Sequence, residues 1–362
     1  MSKTSSRANL QWVRPELRSL KAYAVANPRG LIKLDAMENP YRWPDELIQL
    51  WLEHLREVAI NRYPDPQASE LKGSLRAVME VPGGFDILLG NGSDELIQVI
   101  LLALAAPGRT VVVPEPSFAM YRLLAVALGF NYIGVPLRAE DFALNHDAMV
   151  RAIGDHKPAV VFLAYPNNPT GTLWDRQQLC ELIEAAPGLV VIDEAYAAFA
   201  KASLLSMLSR YPDLLVLRTV SKLGLAGLRL GFLVGSPAWL AELEKVRLPY
   251  NINVLTQASA RFALEHYSVL QSQVDWIVRD REHLLTQLQS LPGVRAWPSA
   301  ANFILFRSTG RPANAVFQGL CDAGILVRDL HGSHPLLANS LRVSVGLPAE
   351  NEAFLEALAA LL

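Results

Sequence analysis

The chain has 362 residues, of which 51% are hydrophobic and 19% charged, enough apolar material for more than one buried core and too much for a disordered chain. Its 33 Lys and Arg against 35 Asp and Glu leave a formal net charge of -2, which gives no electrostatic footprint for nucleic acid or an anionic membrane surface. Cys180 and Cys321 stand far apart without a CxxC spacing, so buried thiols in a reducing, cytoplasmic setting are expected rather than a disulfide framework.

The N-terminal stretch "MSKTSSRANLQWVRPELRSL" lacks an apolar core segment, so no signal peptide is expected. "IKLDAMENPYRWP" is extended and turn-rich, and "PDELIQLWLEHLREVAI" has helical periodicity until "NRYPDP" breaks it. "ASELKGSLRAVMEV" predicts a second helix. The apolar run "LIQVILLALAA" at 96–106 is too short to span a bilayer and predicts a buried helix. "TVVVPEPSF", "AVVFLAYPNNPTG", "LVVIDEAY", "LLVLRTVSK" and "LGFLVG" then predict strands, apolar on both faces and alternating with helical stretches. That pattern predicts an α/β fold with a mostly parallel or mixed sheet between helix layers. From about residue 255 a long helix is expected over "VLTQASARFALEHY…VRDREHLLTQLQSL", followed by a smaller α+β unit with "ANFILFR", "GILVRDL" and "LRVSVG" as strands. The expected organisation is a large domain over 47–255 and a small domain made from 1–46 and 256–362.

In open α/β sheets, ligands sit at the carboxyl ends of the strands, and the polar residues of this chain cluster there. In "LGNGSDEL", Gly92, Ser93 and Asp94 would open a helix whose free N–H groups suit an anion, although the same residues also make an ordinary helix start. "AYPNNPTG" fixes a turn that presents Asn168, or is simply a turn. "VVIDEAY" ends a buried strand in Asp193. A buried carboxylate requires a cation or a donor, which a protonated ring nitrogen or a structural salt bridge would equally supply. In "RTVSKLGLAGLRLGF", Lys222 offers an amine able to condense with an aldehyde once deprotonated, while Ser221 and Arg229 can neutralise a phosphate. An amine, an acid for a ring nitrogen, donors for a ring oxygen and a phosphate cradle make up the inventory that pyridoxal 5'-phosphate requires.

The ordered set "NPTG", "DEAY" and "SK…GLR" resembles the fold-type I pyridoxal-phosphate aminotransferases of the aspartate aminotransferase superfamily. "LDAMENPY", "NRYPD", "PSFAMY" and "LRVSVG" look most like its histidinol-phosphate branch. The resemblance covers nearly the whole chain and implies specific roles. Lys222 would be the Schiff-base lysine and proton shuttle. Asp193 would pair with the pyridinium nitrogen, and Tyr196 and Asn168 with the ring hydroxyl. Phe118 would cover the ring, unless it is only core packing. Gly92, Ser93, Asp94, Ser221 and Arg229 would hold the cofactor phosphate. Tyr63 would reach the other subunit's site, implying a homodimer. Arg342 would clamp a carboxylate, and Tyr23, Asn39 and Arg328 would contact substrate, with Arg328 a candidate for its phosphate. The substrates implied are L-glutamate/2-oxoglutarate and L-histidinol phosphate/imidazole-acetol phosphate.

Two residues depart from the family's pattern: Asp94 is an acid in a phosphate cup, and Met37 stands where many relatives carry Asn. A threonine-phosphate decarboxylase and an aromatic aminotransferase would share this residue set. A transcription regulator borrowing the fold would need a DNA-binding extension with a basic face, and none is visible. His331 and His334 in "HGSHP" lack accompanying carboxylates or cysteines, so no metal site is expected. "GNGSDE" is not a nucleophile elbow.

Overall fold

The computed structural model describes residues 10–20 and 26–362. A seven-stranded sheet is built from β1 (Asp86–Asn91), β2 (Thr110–Glu115), β3 (Asn131–Pro136), β4 (Val160–Ala164), β5 (Leu189–Asp193), β6 (Leu214–Thr219) and β7 (Leu230–Gly235). Their spatial order is β1-β7-β6-β5-β4-β2-β3. β7 is antiparallel to both β1 and β6, and every other neighbour pair is parallel.

The apolar runs of the inner strands follow from burial on both faces. Along β4, Val161 and Leu163 enter one core while Val160, Phe162 and Ala164 enter the other, and all five are buried. The edge strand β3 is exposed or half-buried over most of its length. Its sequence, "NYIGVP", therefore carries no continuous apolar run, and the sequence reading does not include it.

The topology brings the carboxyl ends of β1, β2, β4, β5 and β6 to one edge of the sheet, where β7 begins. Helix α1 (Ser93–Leu104) starts there after β1, and helix α2 (Ala119–Ala127) starts there after β2. β6 runs into a short 3-10 turn, Ser221–Leu223.

The second unit is an antiparallel sheet of β8 (Val294–Ala296), β9 (Phe303–Ser308), β10 (Arg328–Asp329) and β11 (Ser340–Ser344), in the order β10-β11-β9-β8. Residues Ile32–Lys33 pair in parallel with Ile325–Leu326, so an N-terminal segment joins the C-terminal unit. The long helix expected from residue 254 is two helices, Val254–Glu265 and α3 (Tyr267–Ser290), separated at His266 (φ −110°, ψ 32°). The His266 ring nitrogen Nδ1 lies 2.9 Å from the Phe262 carbonyl, and the two rings pack 4.4 Å apart. A side chain crowding a helical carbonyl breaks the helix without any Gly or Pro to mark the place.

Helix α3 ties the two units together. Its buried Arg281 donates through Nη1 to the carbonyls of Phe199 and Ala301, and its Gln273 donates to that of Arg42. Among the described residues, no helix is long and apolar enough to cross a membrane.

Candidate active site

Asp193 closes β5 at the centre of the sheet edge and is buried. Its Oδ2 accepts from the Tyr121 hydroxyl at 2.6 Å and its Oδ1 from the Ala195 N–H at 3.0 Å. Burial raises its carboxyl to about 6, against the opposing pull of those two hydrogen bonds. Among the described residues, no basic side chain pairs with it.

Lys222 sits on the turn after β6. Its Nζ donates to the Ala36 carbonyl at 3.3 Å and lies 5.7 Å from the centre of the Tyr196 ring. Burial lowers its amine to about 8, and the charge of Arg342 adds to the effect. The turn is closed by Gly224 at φ 109°, where a Cβ would stand 2.9 Å from Asn39 Nδ2. The glycine beside the lysine is thus required by the sharp exit of the chain.

Beside Lys222 lies a cup for an anion. Gly92 (φ 87°) turns the chain into α1, whose first residue is Ser93. Arg229 itself adopts left-handed backbone (φ 51°) just before β7. Its guanidinium covers Gly92 so closely that a Cβ there would lie 2.6 Å from Nη2. The hydroxyls of Thr219 and Ser221 stand 2.9 Å apart. Helix-start N–H groups, hydroxyls and a planar guanidinium together suit a phosphate. Asp94 turns its carboxylate to Arg229 at 3.5 Å. Burial pushes that carboxyl up, with Arg229 and Lys222 opposing.

On the other side, Asn168 Nδ2 donates to the Tyr196 oxygen at 3.2 Å, and Asn168 Oδ1 accepts from Arg342 Nη1 at 2.6 Å. Arg342 Nη2 donates to the Asp35 carbonyl at 2.9 Å. Asn168 and Tyr196, together with Ser93, Asp94, Ser221 and Arg229, line a cavity of about 560 Å³ whose walls also include Lys222 and Asp193. A second, outer cavity of about 890 Å³ shares Met37, Phe118 and Asn168 with it and is walled by Arg122, Arg328 and Arg342. Arg328 of β10 is in register with Arg342 of β11.

The structure therefore brings together Lys222, Asp193, Tyr196, Asn168, Phe118, Ser93, Asp94, Ser221 and Arg229, with Gly92 under Arg229 and the two arginines next door. Asn39 lies beneath the lysine turn: its amide donates to the Leu223 carbonyl (3.2 Å) and to Gln273 Oε1 (2.8 Å), and its oxygen accepts from the Tyr41 N–H (2.9 Å). In this position it braces the turn. Tyr63 is 81% exposed and stacks on Tyr250 at 4.6 Å, lining neither cavity. Tyr23 lies outside the described residues. The sequence reading passed over Tyr121 and Thr219. Tyr121 lies in the first turn of α2, which Phe118 caps, and its N–H bonds to the Phe118 carbonyl at 3.2 Å; its nearness to Phe118 in sequence was the available signal. Among the described residues, no group of three or more His, Cys, Asp or Glu is placed to hold a metal ion.

A cavity lined by an amine, a buried acid, a pair of ring-oxygen donors and a phosphate cup fits a flat ring bearing an aldehyde, a basic nitrogen and a phosphate. The comparisons agree in class: the chain belongs to the family described as aminotransferase class I and II, whose model matches residues 29–358. Its similarity extends to one branch of that family, the histidinol-phosphate aminotransferases. It is 56% identical over 350 residues to histidinol-phosphate aminotransferase 2 of Nitrosococcus oceani, covering 97% of each chain. It is 51% identical over 348 residues to histidinol-phosphate aminotransferase of Chromobacterium violaceum, covering 96% of this chain and 97% of that one. The solved histidinol-phosphate aminotransferase from Sinorhizobium meliloti, in complex with pyridoxal-5'-phosphate, shares the fold with a TM-score of 0.86 and 24% identity, over 98% of this chain and 99% of that one.

The Asp193 carboxylate is a cost to the cofactor-free fold. Its folded pKa of about 6 exceeds the ordinary 3.8, so the folded state holds the proton more tightly and loses stability as pH rises through that interval. Asp193→Asn should make cofactor-free protein more stable by about 1–3 kcal/mol at pH 8, the gain shrinking as pH falls from about 6 toward 4. Urea unfolding at both pH values measures it, and a less stable variant at pH 8 would show that the carboxylate is not strained by burial.

Proposed function

We propose that the chain transfers the amino group of L-glutamate to imidazole-acetol phosphate, giving 2-oxoglutarate and L-histidinol phosphate in histidine biosynthesis, with pyridoxal 5'-phosphate as its cofactor. The observation that carries the reading is the shared cavity of Lys222 and Asp193, with a phosphate cup to one side and an arginine-walled cavity beyond. The identity to histidinol-phosphate aminotransferases selects this substrate among aminotransferases.

When bound, pyridoxal phosphate supplies an aldehyde carbon open to amines and a protonated ring that takes up the electron pair left on the substrate carbon. The residues of this chain prepare and hold that chemistry. Burial and Arg342 keep the Lys222 amine near 8, so at neutral pH an appreciable fraction is unprotonated and nucleophilic. The same Nζ would take a proton from the substrate carbon and return it. Asp193, held by Tyr121 and the Ala195 N–H, keeps a proton on the ring nitrogen. Asn168 and Tyr196 hold the ring oxygen, and Phe118 covers the ring. Gly92, Ser93, Ser221 and Arg229 hold the phosphate, with Asp94 contributing its backbone N–H. Arg342 receives a substrate carboxylate and Arg328 the substrate phosphate. Asn39 and Tyr23 contact the substrate, and Asn39 also braces the lysine turn through the Leu223 carbonyl.

The reading includes a large domain over 47–255, a small domain from both termini, and a cytoplasmic homodimer. The unpaired Cys180 and Cys321 accord with a reducing compartment. The exposed Tyr63, placed outside its own cavity, accords with delivery to a partner's cofactor phosphate.

Two outcomes test this function. L-Histidinol phosphate should discharge the yellow colour of the loaded protein and 2-oxoglutarate should restore it. Release of carbon dioxide from L-threonine O-3-phosphate without any need for 2-oxoglutarate would make the chain a decarboxylase, and a far better response to phenylalanine would reassign the substrate. Reconstitution of cofactor-free protein should also quicken as pH rises through about 8, as the Lys222 amine loses its proton.

Tyr63→Ala and Lys222→Ala proteins, each impaired alone, should regain activity when mixed and refolded together. In the mixed dimer, one site then holds both native groups. A mixture no more active than its components would mean that Tyr63 serves its own subunit or none.

A further inference from the structure

The outer cavity holds an arginine that neither the resemblance nor the reaction described above uses. Arg122 lies in the first turn of α2, which Phe118 caps, and both residues line the outer cavity. Its guanidinium rests over the ring of Tyr132, 5.4 Å from the ring centre, which holds the fork at the cleft wall. The nearby Glu115 is engaged elsewhere. Its Oε1 accepts from the Tyr132 hydroxyl at 2.8 Å, and its Oε2 packs on Gly134, where a Cβ would meet it at 2.0 Å. Among the described residues, Arg122 forms no ion pair with any carboxylate.

Arg328 and His334 line the same cavity as Arg122. The His334 Nδ1 accepts from the Leu336 N–H at 3.2 Å, which leaves Nε2 to carry the ring proton and donate. Burial lowers the His334 pKa, and the Arg122 charge acts on it in the same direction while Glu115 opposes. One guanidinium fork satisfies a carboxylate, whereas a phosphate dianion has three oxygens and accepts from several donors at once. Arg342 already serves the inner end of the cleft, where it meets Asn168.

We propose that Arg122 is a specificity-determining residue: with Arg328 it receives the phosphate of the phosphorylated substrate at the outer end of the cleft, and so makes the enzyme prefer that substrate to its dephosphorylated counterpart. The inference rests on the substrate reading proposed above and adds a residue and a discrimination to it.

The test is a half-reaction titration of loaded wild-type, Arg122→Ala and Arg122→Lys protein with L-histidinol phosphate, L-histidinol and L-glutamate. Arg122→Ala should raise the L-histidinol phosphate concentration needed for half-maximal bleaching about tenfold or more, with the maximal rate little changed. L-Histidinol and L-glutamate should stay within about twofold, since neither presents a phosphate. Arg122→Lys should recover part of the loss by keeping the charge without the fork. Inorganic phosphate should also become a weaker inhibitor of the L-glutamate half-reaction in Arg122→Ala. An unchanged response to L-histidinol phosphate in a wild-type-like variant would overturn the inference alone, as would an equal loss with all three donors. Failure of wild-type protein to react with L-histidinol phosphate would overturn the substrate reading, and this inference with it.

Discussion

The whole site depends on two opposite charges buried in one cavity without touching. Asp193 is held up to about 6 and Lys222 down to about 8. Each is driven toward its neutral form by burial, and neither has the other as partner: Asp193 is bonded to Tyr121 and the Ala195 N–H, Lys222 to the Ala36 carbonyl. A direct salt bridge would have satisfied both and left nothing for a ligand. Kept apart, they form a socket for a molecule that brings a cationic nitrogen to one end and a carbonyl carbon to the other.

The sheet topology creates that separation. Asp193 ends β5 and the turn bearing Lys222 follows the neighbouring β6, so the two groups are set by adjacent parallel strands at the same edge. The antiparallel β7 returns the chain to this edge with Arg229 at its start, and β1 places Gly92 beneath that guanidinium. The small unit completes the walls. The Ala36 carbonyl accepts a hydrogen bond from the Lys222 amine, Arg342 reaches Asn168, and Arg328 lines the outer cavity. Any shift of the small unit against the sheet therefore moves both Arg328 and Arg342 and the contact that holds the lysine.

Much of this was legible in the residues, and the exceptions have physical reasons. The inner strands announced themselves because both faces are buried, whereas β3 was silent because an edge strand needs no apolar run. Lys222, Asp193, Asn168 and Arg229 stood out because a charge or amide at the end of an apolar strand is costly unless it has a task. Tyr121 did not, since a tyrosine in an apolar helix reads as core, and its hydroxyl bond to Asp193 spans 72 residues of sequence. The break at His266 was equally silent, because it arises from a ring crowding a carbonyl rather than from a helix-breaking residue. For Asn39, read as a neighbour of the substrate, the fold adds the hydrogen bonds of its amide to the Leu223 carbonyl and Gln273. Arg122 carries no motif in the sequence, and only the fold sets it in the same cavity wall as Arg328.

The claim at the centre is that the Lys222 amine is the one that joins the cofactor. Borohydride reduction of loaded protein, followed by digestion and mass spectrometry, tests it most directly. The pyridoxyl group should be found on Lys222 alone. A label on Lys201, on Lys33 or on no lysine at all would contradict the account.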